Sequence, residues 1–174
     1  TTIQSIMLLL RLHDPIGSEN SSKGIFGNKV FAFCDNLDLI NRLYRQYLDA
    51  EGRDPIGKID SRKNGSLALL RSPLHNNSEI DWRAAAIKGQ EWWIVDSLRV
   101  GRVPPEIRRT SAQDTGVSSS AEVVIATASL EVGFDDPTVG GVIQHKSPRD
   151  IAQFVQRRGR AGRPQIMHPW TVVV

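Results

Sequence analysis

The 174-residue sequence holds one cysteine, Cys34, so no disulfide can form within it. A lone thiol suits a reducing compartment, and a cytoplasmic protein is the expectation. Cys34 ends an apolar run, where a buried, inert thiol is expected rather than a nucleophile. Long apolar runs are missing too. The longest, Ile6 to Leu10, is too short to cross a bilayer, so no membrane helix is expected, and no charged leader marks a signal peptide. The four histidines, His13, His75, His145 and His168, show none of the close pairings that zinc favours, so no metal site is expected. There is no G-x-x-x-x-G-K-[ST] phosphate loop, since the glycines and lysine between Gly24 and Lys29 have the wrong spacing, and no acidic metal-binding box. These absences exclude a self-sufficient site for nucleotide hydrolysis. No methionine opens the chain, and it stops inside the apolar run 171–174, so a piece of a longer protein is expected.

With 40% hydrophobic residues, the chain can bury one good core. Its formal charge is only +3, and the positive charge is concentrated. Lys146, Arg149, Arg157, Arg158, Arg160 and Arg163 face a single acid, Asp150, within 146–163. A second cluster is Arg99, Arg102, Arg108 and Arg109, diluted by Glu106. Local basic stripes of this kind suit phosphate groups, although without another motif a solvated surface run is the simpler reading.

Apolar residues at Ile3, Ile6, Met7 and Leu10 have helical spacing, and a loop follows over 13–29. The run 29–34 (KVFAFC) predicts a strand buried on both faces. Asp35 is placed to cap a helix with the stripe Leu37, Ile40, Leu43, Tyr44, Tyr47 and Leu48, stopped at Gly52. Further strands are predicted at 107–111, 122–127, 141–144 and 171–174. A helix is predicted to begin at Ser147 and Pro148 and to bury Ile151, Phe154 and Val155. Short apolar strands separated by helices or long crossings imply an α/β domain with a mainly parallel sheet. The stretch 53–105 breaks this rhythm. It holds Trp82, Trp92 and Trp93, and reads as an insertion with its own small apolar cluster. The domain plan is therefore an N-terminal helix and loop over 1–28 and a main domain over 29–174 that carries the insertion.

Three segments are placed at the carboxyl ends of strands, where parallel sheets carry their function. They are VFAFCDN after the first strand, VVIATASLEVGFDDP (Val123 to Pro137), and QRRGRAGR (Gln156 to Arg163). In this order they resemble motifs IV, V and VI of the second RecA-like domain of superfamily 2 helicases of the DEAD/DEAH type. Gln156 to Arg163 match Gln/His-x-x-Gly-Arg-x-Gly-Arg at every defined position. Ala126, Thr127, Glu131, Gly133 and Asp135 match the motif V pattern. The segment from Ser129 to Arg163 is most similar to the large helicase-related proteins, and its EVGFDDP part also resembles RecG-type translocases. Coverage runs from about Lys29 to Val174, apart from the insertion.

The resemblance implies a three-layer RecA-like fold and half of an ATP-driven motor. Arg160 and Arg163 would face the γ-phosphate, with Gln156 in the same network. An arginine supplied from a second domain is worth about 10³ to 10⁵ in rate in nucleotide hydrolases. Gly159 and Gly162 would let the backbone turn so that both guanidiniums face the partner, and their fork suits phosphate oxygens. Gly133 and Asp135 match the ribose-facing positions. Thr127, Asn36, Arg109 and Ser111 fall where relatives touch the nucleic-acid backbone. Arg157 and Arg158 stay open between pairing with acids of the partner domain and solvation, and Asp136 is assigned to turn chemistry before Pro137. Asp35, Asn36 and Leu37 depart from the hydroxyl and arginine usual after the motif IV strand. The implied cofactor is ATP, with Mg²⁺ held by an N-terminal RecA-like domain of the same protein. The implied partner is single-stranded nucleic acid, DNA before RNA, and no membrane. The isolated segment is expected to be inactive.

Two other classes compete. A non-catalytic interaction or nucleic-acid-binding module could keep the fold, but it has no need for Arg160 and Arg163 at that spacing. A standalone basic RNA-binding domain would want aromatic stacking platforms beside the basic residues, and the nearest aromatic, Phe154, is expected to be buried.

Overall fold

The computed structural model describes residues 2–14, 22–59, 105–110, 118–127 and 135–174. The elements are α1 (Thr2–Leu12), β1 (Lys29–Phe33), α2 (Leu37–Ala50), β2 (Ile107–Thr110), β3 (Val123–Ala126), β4 (Val139–Gln144), α3 (Ile151–Arg158) and β5 (Trp170–Val173). The five strands form one sheet in the order β2-β3-β1-β4-β5, with every pairing parallel. This is the expected α/β architecture. The five predicted strands all form, with ends shifted by a residue or two.

The chain divides into two compact units, Thr1–Tyr44 with Pro105–Val174, and Arg45–Pro104. The sheet belongs to the first, and α1, which the sequence set apart, belongs to the same unit. The region read as an insertion falls mostly in the second unit, and its tryptophans lie outside the described residues. The described part of the second unit holds the end of α2 and a turn. Gly52, at φ +71°, stops the helix, and Arg53 N donates to Leu48 O at 2.8 Å. Asp54 Oδ1 then accepts from Ile56 N and Lys58 N, and Arg53 pairs with Ile59 in an antiparallel bridge.

The central strands β1 and β3 are buried along their whole length, as continuous apolar runs in a parallel sheet require. On one face lies α1, whose Ile3, Ile6, Met7, Leu9 and Leu10 are buried. Each such side chain contributes about 1.5–3 kcal/mol relative to exposure. Close packing there depends on Gly141: a Cβ at that position would come within 2.6 Å of Leu9 Cδ2 and 2.8 Å of His13 Cε1. On the other face Phe31, Phe33, Val124, Ala126 and Val142 gather with Ala121, Val139 and Ala161. Ala161 belongs to the segment after α3, so the arginine-rich turn is seated on the sheet by its one small apolar residue.

Three local expectations need correction. The cap of α2 is Asn36, not Asp35: Asn36 Oδ1 accepts from Leu39 N at 2.8 Å. Helix α3 begins after Asp150, whose carboxylate accepts from Gln153 N at 2.7 Å, not at Ser147 and Pro148. Of its apolar stripe Phe154 is half-buried, but the other two residues are exposed. Ile151 is 76% and Val155 55% exposed, whereas Arg157 is 1% exposed. The residue of this helix that is fully buried is the one that pairs with Asp35.

Candidate nucleotide and nucleic-acid interface

The three motif segments do not share one end of the sheet. Asp35 and Asn36 follow β1 and Thr127 follows β3, so they lie at the carboxyl ends as expected. The arginine-rich turn instead leads away to the opposite edge. Gly162 N donates to the carbonyl of Val139, the first residue of β4, at 3.0 Å. Asp135 lies just ahead of β4, on the same side. The reason is direction: the chain leaves β4 at its carboxyl end, crosses the face through α3 and returns to its start.

At the amino edge, Arg163 Nε lies 3.3 Å from Asp135 Oδ1, and both side chains are substantially exposed. Motifs V and VI therefore meet. Beneath them Asp136 is locked in place. Its Oδ2 accepts from Lys29 Nζ at 2.6 Å, and its Oδ1 accepts from Thr138 N at 2.9 Å and Thr138 Oγ1 at 2.6 Å. Lys29 and Asp136 are 6% and 13% exposed. Burial pushes the Asp136 carboxyl up, but the hydrogen bonds from Lys29 and Thr138 and the lysine charge outweigh it and hold the group below the ordinary aspartate value. The turn role expected of Asp136 is thus real, and the buried lysine is an addition that sequence reading missed.

The turn itself is held at both ends. Gly159 N donates to Val155 O at 2.9 Å, and Arg160 N donates to Arg157 O at 3.1 Å. Gly162 has φ +75°, and a Cβ there would meet Pro169 Cγ at 2.4 Å, so glycine is required. Gly159 sits at an ordinary helical φ of −67°, so the freedom expected of it is not used. Arg160 is partly exposed, and Gln156 is exposed on the last turn of α3.

At the carboxyl edge, the pair that sequence left open resolves in part. Arg157 reaches back from α3 to Asp35, with Nη2 3.1 Å from Oδ1, and its guanidinium lies 5.4 Å from the centre of the Phe33 ring. Arg157 thus pairs within its own domain, while Arg158 is exposed. The signal for this pair was legible only as a departure, an acid where the resemblance leads one to expect a hydroxyl. Asn36 is exposed beside it.

Arg109, expected at the nucleic-acid backbone, lies against α2. It donates to Asn41 Oδ1, and its guanidinium is 5.4 Å from the Tyr44 ring centre. Gly133 and Ser111, also named from sequence, lie outside the described residues. His145 is partly buried, with Nδ1 2.8 Å from Thr2 Oγ1. Burial and the neighbouring Lys146 charge push its pKa down against the opposing pull of Asp35. Cys34 is fully buried. Burial, then the Asp35 charge, push its thiol up to about 11, despite the nearby Arg157. Among the described residues no group of three or more His, Cys, Asp or Glu side chains could hold a metal ion, and no helix is long and apolar enough to cross a membrane.

A protein described as an ATP-dependent DNA helicase Q1, from Caenorhabditis briggsae, is 39% identical over 57 residues, which cover 33% of this chain and 9% of that protein. The ATP-dependent DNA helicase Q-like 5 of Arabidopsis thaliana is 37% identical over 59 residues, covering 34% of this chain and 6% of that protein. The chain therefore aligns with only a small part of each relative. The structure of Mycobacterium smegmatis helicase Lhr bound to ssDNA and AMP-PNP overlays with a TM-score of 0.49 at 17% identity, covering 98% of this chain and 16% of that one. The model of the family described as "Helicase conserved C-terminal domain" matches residues 75–165. The match begins inside the stretch read as an insertion and ends just past the arginine-rich turn. It takes in more than half of the 174 residues, and the chain belongs to that family, as the C-terminal domain of a superfamily 2 helicase.

Proposed function

We propose that this domain is the second half of an ATP-dependent nucleic-acid motor, and that single-stranded DNA is its track. The observation that carries the reading is the meeting of Asp135 and Arg163 at the amino edge of β4, beside a turn anchored at Gly159 and Gly162. An exposed carboxylate beside an exposed guanidinium suits a nucleotide: the arginine meets phosphate oxygens and the carboxylate accepts from ribose hydroxyls.

In this reading Arg160 and Arg163 supply positive charge as charge builds on the transferring phosphoryl group, and Gln156 hydrogen-bonds beside them. Gly133 is assigned to the ribose side. Among the described residues no acidic cluster of the kind that holds Mg²⁺ is formed, and the ion is assigned to an N-terminal RecA-like domain of the same protein. That domain also contributes the phosphate loop missing here, and the nucleotide sits between the two. Asn36, Thr127 and Arg109, at or near the carboxyl edge, are assigned to the nucleic-acid side, and so is Ser111. Hydrolysis at one edge of the sheet is then coupled to the strand at the other. The domain by itself is expected to be inactive, in a reducing, cytoplasmic setting.

The test is ATP hydrolysis by the full-length protein with and without single-stranded DNA. Stimulation by the strand supports the motor reading. Absence of hydrolysis in both conditions favours a binding module that keeps the fold.

A further inference from the structure

We infer that Asp35 is a positioning residue: through the buried Arg157 guanidinium it ties the loop after β1 to the arginine-rich turn. The inference rests on the motor reading for its functional consequence, but not for its geometry.

Arg157 is 1% exposed, so its charge must be compensated where it lies. Asp35 supplies a carboxylate at 3.1 Å, and the Phe33 ring supplies a face at 5.4 Å. Two strand-end residues therefore fix one side chain of α3. The backbone of the same residue fixes the turn, because the Arg157 carbonyl accepts from Arg160 N at 3.1 Å. Arg157 is thus a joint, with its side chain held by the β1 end and its main chain holding Arg160. The residue after Asp35 is Asn36, which caps α2 through Leu39 N. A shift of the Asp35–Asn36 loop has two rigid followers, the start of α2 and the turn carrying Arg160.

A bulk structural role would be met by any side chain that fills the space. A positioning role requires the charge and the reach. In the full-length protein, Asp35→Asn, which keeps shape and removes charge, should raise hydrogen–deuterium exchange at the amides of Arg160 and Gly162. It should also lower strand-stimulated kcat roughly tenfold with little change in KM for ATP, the pattern of a group displaced from its working geometry. Arg157→Gln should do the same, and Arg157→Lys, which keeps the charge, should recover part of both. Unchanged exchange at the turn in Asp35→Asn overturns the inference, as does equal behaviour of Arg157→Lys and Arg157→Gln. If the wild-type protein shows no strand-stimulated hydrolysis, the motor reading falls, while the exchange measurement still decides the tether.

Discussion

Arg163 and Asp135 face each other at 3.3 Å on an exposed ridge ahead of β4, so the two residues assigned to opposite ends of a nucleotide begin as partners of one another. Exposed pairs of this kind add little to stability, because water screens them and both side chains pay entropy to meet. The contact is easily exchanged for one with a ligand.

It follows that Asp135→Asn should leave the unfolding midpoint of the domain nearly unchanged while raising KM for ATP in the full-length protein several-fold. Urea denaturation beside steady-state kinetics checks both halves. A large loss of stability would mean that the carboxylate is structural.

Asp136, next along the chain, should behave in the opposite way. Its folded pKa lies below the ordinary aspartate value, so its contribution is present above about pH 4 and is lost as pH falls through the depressed folded value. Asp136→Asn should therefore lower stability at pH 7, and the gap from wild type should shrink as pH falls below the ordinary aspartate value. Urea midpoints measured across that range give the sign directly.

The Arg157–Asp35 pair combines burial with charge. Removing the carboxylate with Asp35→Ala leaves a guanidinium that is 1% exposed short of one partner, and should cost about 1–3 kcal/mol. Chemical denaturation of the domain checks this value.

Glycine use within the arginine-rich turn separates two substitutions that look alike in sequence. Gly162→Ala forces a Cβ into Pro169 at φ +75° and should cost about 1–3 kcal/mol. Gly159→Ala, at helical φ with only carbonyl oxygens of its own helix nearby, should cost less than about 1 kcal/mol. Thermal melts of the two variants should differ by several degrees in that order.

Cys34 offers a probe of the core. With its pKa near 11 and no exposure, it should resist thiol-reactive disulfide reagents at pH 8 until the domain unfolds. Fast labelling under native conditions would mean that the β1 end opens readily.

The sequence carried the strands well because a parallel sheet covered on both faces needs continuous apolar runs, and KVFAFC and EVVIAT can hardly be read otherwise. The capping residue of α2 was misplaced by one position because Asp35 and Asn36 are both good caps, and the choice depended on a cation 122 residues away. Local periodicity likewise gave no sign that α3 would bury Arg157, because it has no means of weighing an ion pair formed only in the fold. Motif VI was legible as a motif because its residues are contiguous. Its location at the amino edge was not, because that depends on the path of the chain after β4. The Lys29–Asp136 pair was invisible for a similar reason, since nothing near Lys29 marks it as buried.

On the motor reading, the turn from Gly159 to Arg163 completes a nucleotide site that lies mostly in another domain. Its most direct test is the rate of ATP hydrolysis by the full-length protein at saturating ATP and single-stranded DNA, comparing wild type with Arg160→Ala. A fall of about a thousandfold or more is expected, with strand binding in the absence of nucleotide retained. Turnover within a few-fold of wild type would contradict it.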